Sequence, residues 1–131
     1  MSSLSDAFRD AVLSQDHGGM VDALSDDVVF NSPVAFKPFL GREAVGKVLG
    51  AVMETFEDFR YTDELEGPTA HALVFKARVG PKELEGIDLL RFDSNGKIRD
   101  FTVLVRPLSG TIALAEAMGP KVAHLKNGGA R

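Results

Sequence analysis

Cysteine is absent from the 131-residue chain, which removes disulfides, thiol nucleophiles and thiolate metal sites from consideration. Tryptophan is also absent and tyrosine occurs once, leaving few platforms on which nucleic-acid bases could stack. A net charge of -4 is the wrong sign for gripping a phosphate backbone. No nucleic-acid partner is expected. No apolar run reaches the roughly 20 residues of a membrane span, and the N-terminus lacks the charged-then-apolar order of a secretion signal. The expectation is a cytoplasmic protein with no membrane association. What is present is enough for one domain over 1–131, since a hydrophobic content of 44% supplies a core at this length.

Neither an internal repeat nor a low-complexity linker divides the chain. Leu4, Phe8, Ala11 and Val12 recur at helical spacing behind Ser3 and Ser5, either of which can cap a helix. Gly18-Gly19 is expected to break that helix, with a short second one from Met20 to Leu24. Val28-Val29-Phe30 reads as a short strand stopped by Asn31-Ser32-Pro33. The loop from Pro33 to Leu40 carries two prolines and two phenylalanines, so it has apolar surface to place over something. Val45, Val48, Leu49, Val52, Met53 and Phe56 then mark the inner face of a long helix that opens at Gly41-Arg42-Glu43.

Extended segments follow at about Phe59 to Glu66, Ala70 to Val79, Glu83 to Phe92 and Lys97 to Arg106. Gly67-Pro68 and Gly80-Pro81 separate the first three, and Asn95-Gly96 is a strong hairpin signal between the last two. A final helix after Pro107, capped by Ser109, should turn Ile112, Ala115 and Met118 inward. Gly119-Pro120 should stop or kink it, leaving 121–131 frayed. This order implies an α+β fold with helices on one face of a curved antiparallel sheet. The other face is apolar too, with Ile87 and Leu89 on it, and needs a second cover. A homodimer through the sheet face is the expected solution.

Asp88 stands out. It is a lone carboxylate in the apolar strand Leu84-Glu85-Gly86-Ile87-Asp88-Leu89-Leu90-Arg91-Phe92. Such a residue is either held by a structural partner or faces a pocket, where lost hydration raises its pKa and makes it an acid, base or hydrogen-bond donor. The pocket reading is the one adopted.

With these residues in view, the chain resembles the nuclear-transport-factor-2-like (SnoaL-like) superfamily, and within it the bacterial ketosteroid isomerases. The resemblance is densest in Leu84 to Ile98, recurs in Ser25 to Pro33 followed by Gly41-Arg42-Glu43, and spans about residues 5 to 106. It implies a cystatin-like α+β cone, with N-terminal helices packed on a strongly curved antiparallel sheet. Asp88 falls on the isomerases' oxyanion-hole aspartic acid, kept protonated by apolar surroundings. Their general base falls on Ser32 and their oxyanion tyrosine on Phe8. A serine without a partner base does not shuttle a proton between carbons, and phenylalanine has no hydroxyl to donate. Steroid isomerisation by the family mechanism is therefore not expected. Nor can the Asp-Arg-Asp arrangement of the limonene epoxide hydrolases of this fold be assembled around Asp88.

The remaining candidates divide between chemistry and architecture. His71 is the proposed proton-transfer partner of Asp88, the alternative being a rim histidine. His17 and His124 share no metal-ligand spacing with it, so no metal and no other cofactor is expected. Ser32 and Asn31 either offer hydrogen bonds at a pocket mouth or simply end a strand. Asp26 and Asp27 point to opposite faces of a strand, and Arg106 reads as a surface ion-pair partner. The pocket walls are assigned to Phe8, Val12, Ser32, Phe36, Val48, Met53, Phe75, Ala77, Leu90, Phe101 and Val103. The implied function is binding of a small hydrophobic molecule with Asp88 as polar contact, with metal-free acid/base chemistry of isomerase, cyclase or hydrolase type. The alternative is a non-catalytic ligand-binding or dimerisation module.

Overall fold

The computed structural model describes residues 3–129, without the side chains at 124 and 126–129, so His124 lies outside the described side chains. Helix α1 runs Asp6–Leu13 and buries Phe8 and Ala11. Ser5 occupies its N-cap position, yet makes no capping bond with its side chain. The helix ends on Gln15, whose φ is 57°. Its N–H donates to the Val12 carbonyl at 3.1 Å, while that of Asp16 donates to the Ala11 carbonyl at 2.8 Å. That pair of bonds is a Schellman stop. Gly18-Gly19 therefore breaks nothing and lies inside α2, His17–Asp22. Asp16 caps α2 through the Gly19 N–H, and a Cβ on residue 19 would sit 2.7 Å from the Asp16 carboxylate.

Strand β1 is Leu24–Asn31, longer than its apolar triplet suggested, and β2 is a two-residue pairing, Phe39–Leu40. Helix α3, Arg42–Thr55, buries Val45, Val48 and Leu49. The long strands are β3 Glu57–Glu66, β4 His71–Val79, β5 Lys82–Phe92 and β6 Ile98–Arg106. They form one sheet in the order β2-β1-β6-β5-β4-β3. All neighbours are antiparallel except β1 and β6, which run parallel, so the expected antiparallel sheet is mixed at that one seam. At the β5–β6 turn only Gly96 takes a positive φ, of 77°, and Asp93 Oδ1 accepts from the Asn95 and Lys97 N–H groups at 2.9 Å each.

Helix α4 is Leu108–Gly129 and continues through Pro120. The expected fraying from residue 121 gives way to burial of Val122 and Leu125. Leu114 and Met118 are the buried residues upstream, while Ile112 is 49% exposed and faces outward. Gly110 permits this docking, because a Cβ there would lie 2.8 Å from the Leu84 side chain. The α+β cone expected from the sequence is what forms. Its core lies between the concave sheet face and the helices, with Leu24, Val28, Leu73, Leu90 and Ile98 fully buried. Alternation along β5 sends Leu84, Gly86, Asp88 and Leu90 inward. Ile87 opposes Leu104 on the outer face, and Leu104 is 54% exposed. No described helix is long and apolar enough to cross a membrane.

Candidate functional site

A cavity of about 450 Å3 opens between the concave sheet face and helices α1, α3 and α4. Its position follows from sequence locally. Gly86 pairs across strands with Phe75, and a Cβ on residue 86 would collide with the Phe75 ring, so the ring lies over the glycine. Phe75 stacks on Phe59 with centroids 5.0 Å apart, and Phe56 tilts against it at 5.6 Å. Tyr61 meets the edge of Phe59 at 4.9 Å. This aromatic wall faces Phe8, which packs edge-on against Phe101 at 5.1 Å. Val12 and Val48 line the cavity from α1 and α3, as does Met53, and Val103 lines it from β6.

Asp88 lines the cavity, 7% exposed, between Leu73 of β4 and Val103 of β6. Burial pushes its carboxyl up to about 7, opposed by a hydrogen bond from Tyr61. The Tyr61 hydroxyl donates to Asp88 Oδ2 at 3.4 Å. Burial and then the nearby Asp88 raise the Tyr61 pKa well above its ordinary value, so Tyr61 remains a donor. The chemistry available is that of two O–H groups in an apolar chamber, able to hold or protonate an oxygen atom.

His71 does not reach Asp88. It lies two residues along β4 from Leu73, opposite Leu90, and does not line the cavity. Its Nδ1 contacts the hydroxyls of Ser5 at 3.1 Å and Ser3 at 3.2 Å, and its ring meets the edge of Phe92 at 5.0 Å. The proposed proton partner is therefore a tie between β4 and the segment entering α1, which also explains the missing Ser5 cap. Ser32 lines the mouth, where its hydroxyl accepts from the Val34 N–H at 3.0 Å in a tight turn. Phe36 is 100% exposed and outside the chamber, because its loop turns Pro33, Val34 and Ala35 inward instead. Ala77 and Leu90 are buried in the core without lining the cavity. Among the described residues no cluster of His, Asp or Glu is arranged to hold a metal ion.

Sequence reasoning missed Tyr61, the rim residues Gln15 and Asp58, and the α4 face formed by Leu114, Met118 and Val122. One signal for Tyr61 was available. In the charged segment Glu57 to Glu66, Phe59 and Tyr61 share a strand parity, and they are its only half-buried residues. Asp58 has a φ of 55° at a bulge in β3, and its carboxylate accepts from Arg78 Nε at 2.6 Å. Gln15 and Asp58 are thus the described non-glycine residues with left-handed backbone, and both stand at the cavity mouth.

The model of the SnoaL-like domain family matches residues 6–101. A steroid delta-isomerase from Pseudomonas aeruginosa is 40% identical, with 95% of each chain covered and a TM-score of 0.86. A protein with a cystatin-like fold from Silicibacter pomeroyi is 32% identical over 94% of this chain and 87% of its own, at a TM-score of 0.88. A putative SnoaL-like polyketide cyclase from Shewanella denitrificans is 16% identical, covers 86% of this chain and 95% of its own, and shares the fold at a TM-score of 0.66. No curated protein sequence matches the chain.

Proposed function

The chain belongs to the SnoaL-like domain family, and from that membership we propose that it binds a compact, largely apolar molecule whose polar atom meets Asp88. The observation that carries the reading is a buried carboxyl lining a largely apolar cavity of about 450 Å3. That volume falls within the ordinary range for small-molecule sites. A carboxyl with a pKa of about 7 is protonated in a large fraction of molecules at neutral pH. It can donate to a ligand oxygen or pass a proton to it, which is the chemistry of metal-free isomerisation, cyclisation or hydrolysis. The isomerase and cyclase named among the solved relatives fit that class.

Phe8 and Ser32 favour a second reading, in which the cavity binds without turnover. Phe8 lacks the hydroxyl, and Ser32 the carboxylate, that the resembling isomerases place at these two positions. One experiment addresses both readings. Thermal shifts of the wild type and of Asp88→Asn are measured against steroids, terpenoids and small aromatics, and hits are then followed for conversion by mass spectrometry. A ligand at about 100 times its Kd should add about 2.7 kcal/mol of stability. Absence of any shift across the panel would remove the binding function altogether. We also propose that a second copy of the chain covers the outer sheet face around Ile87, Leu89 and Leu104, where Leu104 is 54% exposed.

A further inference from the structure

We propose that the cavity takes a flat, conjugated ring system in preference to a saturated one of the same skeleton, held between a panel of aromatic rings and the thioethers of Met53 and Met118. The inference rests on the ligand-binding reading above and names the class of molecule that site takes.

The placement of two residue types carries it. Of the nine phenylalanines and one tyrosine in the chain, all but Phe36 and Phe92 line the cavity. Every methionine among the described residues lines it as well, namely Met20, Met53 and Met118. Phe56, Phe59 and Phe75 make one panel. Phe59 and Phe75 stack at 24° with centroids 5.0 Å apart, and Phe56 lies 5.9 Å from the first and 5.6 Å from the second. The panel is held in place, because the Phe75 ring occupies the space that a Cβ on Gly86 would fill. Two of the methionines belong to the same corner. Met53 stands three positions before Phe56, the C-cap residue of α3, which is close to one helical turn. Met118 comes from α4, and its Sδ lies 3.3 Å from the hydroxyl of Thr55, the neighbour of Phe56. Lys121 Nζ donates to that same hydroxyl at 2.8 Å, so the end of α3 and the Met118 turn of α4 are tied together.

Burial of area alone would not favour a flat ring. Transfer from water rewards apolar surface of any shape, and a saturated skeleton is the more apolar of the two. Rings and sulfur do discriminate, because both respond to the charge distribution of a π-system. An offset or edge-on ring pair adds roughly 2- to 10-fold in affinity beyond its area, and a thioether against a ring adds a similar factor. A saturated ring gains neither. Met20 is 1% exposed and packs within the core, so the discrimination falls to Met53, Met118 and the panel.

Titration calorimetry on the intact chain with 2-naphthylmethanol and its decahydro counterpart tests this, since both carry the same hydroxymethyl group and any contact with Asp88 cancels. The naphthyl compound should bind at least about 3-fold more tightly. Met53→Leu, which keeps side-chain volume, and Phe59→Leu should each reduce that ratio, with the thermal midpoint confirming that the variants are folded. In protein carrying 13C-methyl methionine, the Met53 and Met118 methyl protons should move upfield with the naphthyl compound and far less with the saturated one. Equal affinities, a preference for the saturated compound, a ratio that survives both substitutions, or naphthyl binding that leaves both methyls in place would each overturn the inference while the pocket stands. If neither compound binds and no methionine methyl moves, the ligand-binding reading is overturned with it.

Discussion

Asp88 should make the protein lose stability as pH rises, and the size of that loss is set by its burial. The ordinary value for the group is 3.8 and burial takes it to about 7 in the folded protein. Between those values the native protein keeps a proton that the unfolded chain has released. The native state binds more protons, so stability is fullest below the unfolded value and declines as pH climbs through the folded one. A shift of this size is worth about 4 kcal/mol in total, of which about 2.5 kcal/mol falls between roughly pH 5 and pH 8. That is a large share of the stability of a small domain. Asp88→Asn removes the titration while leaving size and shape nearly unchanged. Urea denaturation of both proteins across the range cancels every other titrating group in the difference. The wild-type curve should fall away from the variant's by about 2–3 kcal/mol on the alkaline side. Curves that stay parallel within about 0.5 kcal/mol would mean that Asp88 is ionised in the folded protein, and the argument from desolvation would be wrong.

Gln15→Gly should raise stability by roughly 1 kcal/mol, because glycine takes the left-handed φ without penalty; an unchanged denaturation midpoint would contradict the strain at that stop. Gly86→Ala should cost about 2–3 kcal/mol, since the new Cβ meets the Phe75 ring and lies 2.8 Å from the Leu104 carbonyl, and loss of ligand-induced thermal shift should accompany the loss of midpoint. Charge on the outer sheet face, as Leu89→Lys or Leu104→Lys, should shift sedimentation toward the monomer at low concentration; a wild type that already sediments as a monomer would refute the second-copy cover.

How much was legible beforehand follows the range of the forces involved. The long strands were found because alternation is a nearest-neighbour property, and so was the placing of Ile87 and Leu89 on the face away from the helices. The misplacements were local competitions that composition does not weigh. Gly18-Gly19 looked like a break, but the Asp16 cap needed a glycine at residue 19 and kept both glycines helical. Gly119-Pro120 looked like a stop, but burial of Val122 and Leu125 carried α4 past it. His71 had the right residue type and the right face, and was two residues too far along β4.

The sequence by itself determined the α+β order of helices and strands and the place of Asp88 as a lone carboxylate in an apolar strand, which rest on periodicity and the cost of burying charge, while the cone followed from the family resemblance. Tertiary structure alone decided which groups share the chamber with that carboxyl. It turned His71 to the serines ahead of α1, set α4 along the chamber, joined β1 to β6 in parallel, and brought Tyr61 to Asp88 from 27 positions away in the chain. Convergence of that kind depends on sheet curvature and strand register summed over the whole fold, and no local pattern of residues encodes it.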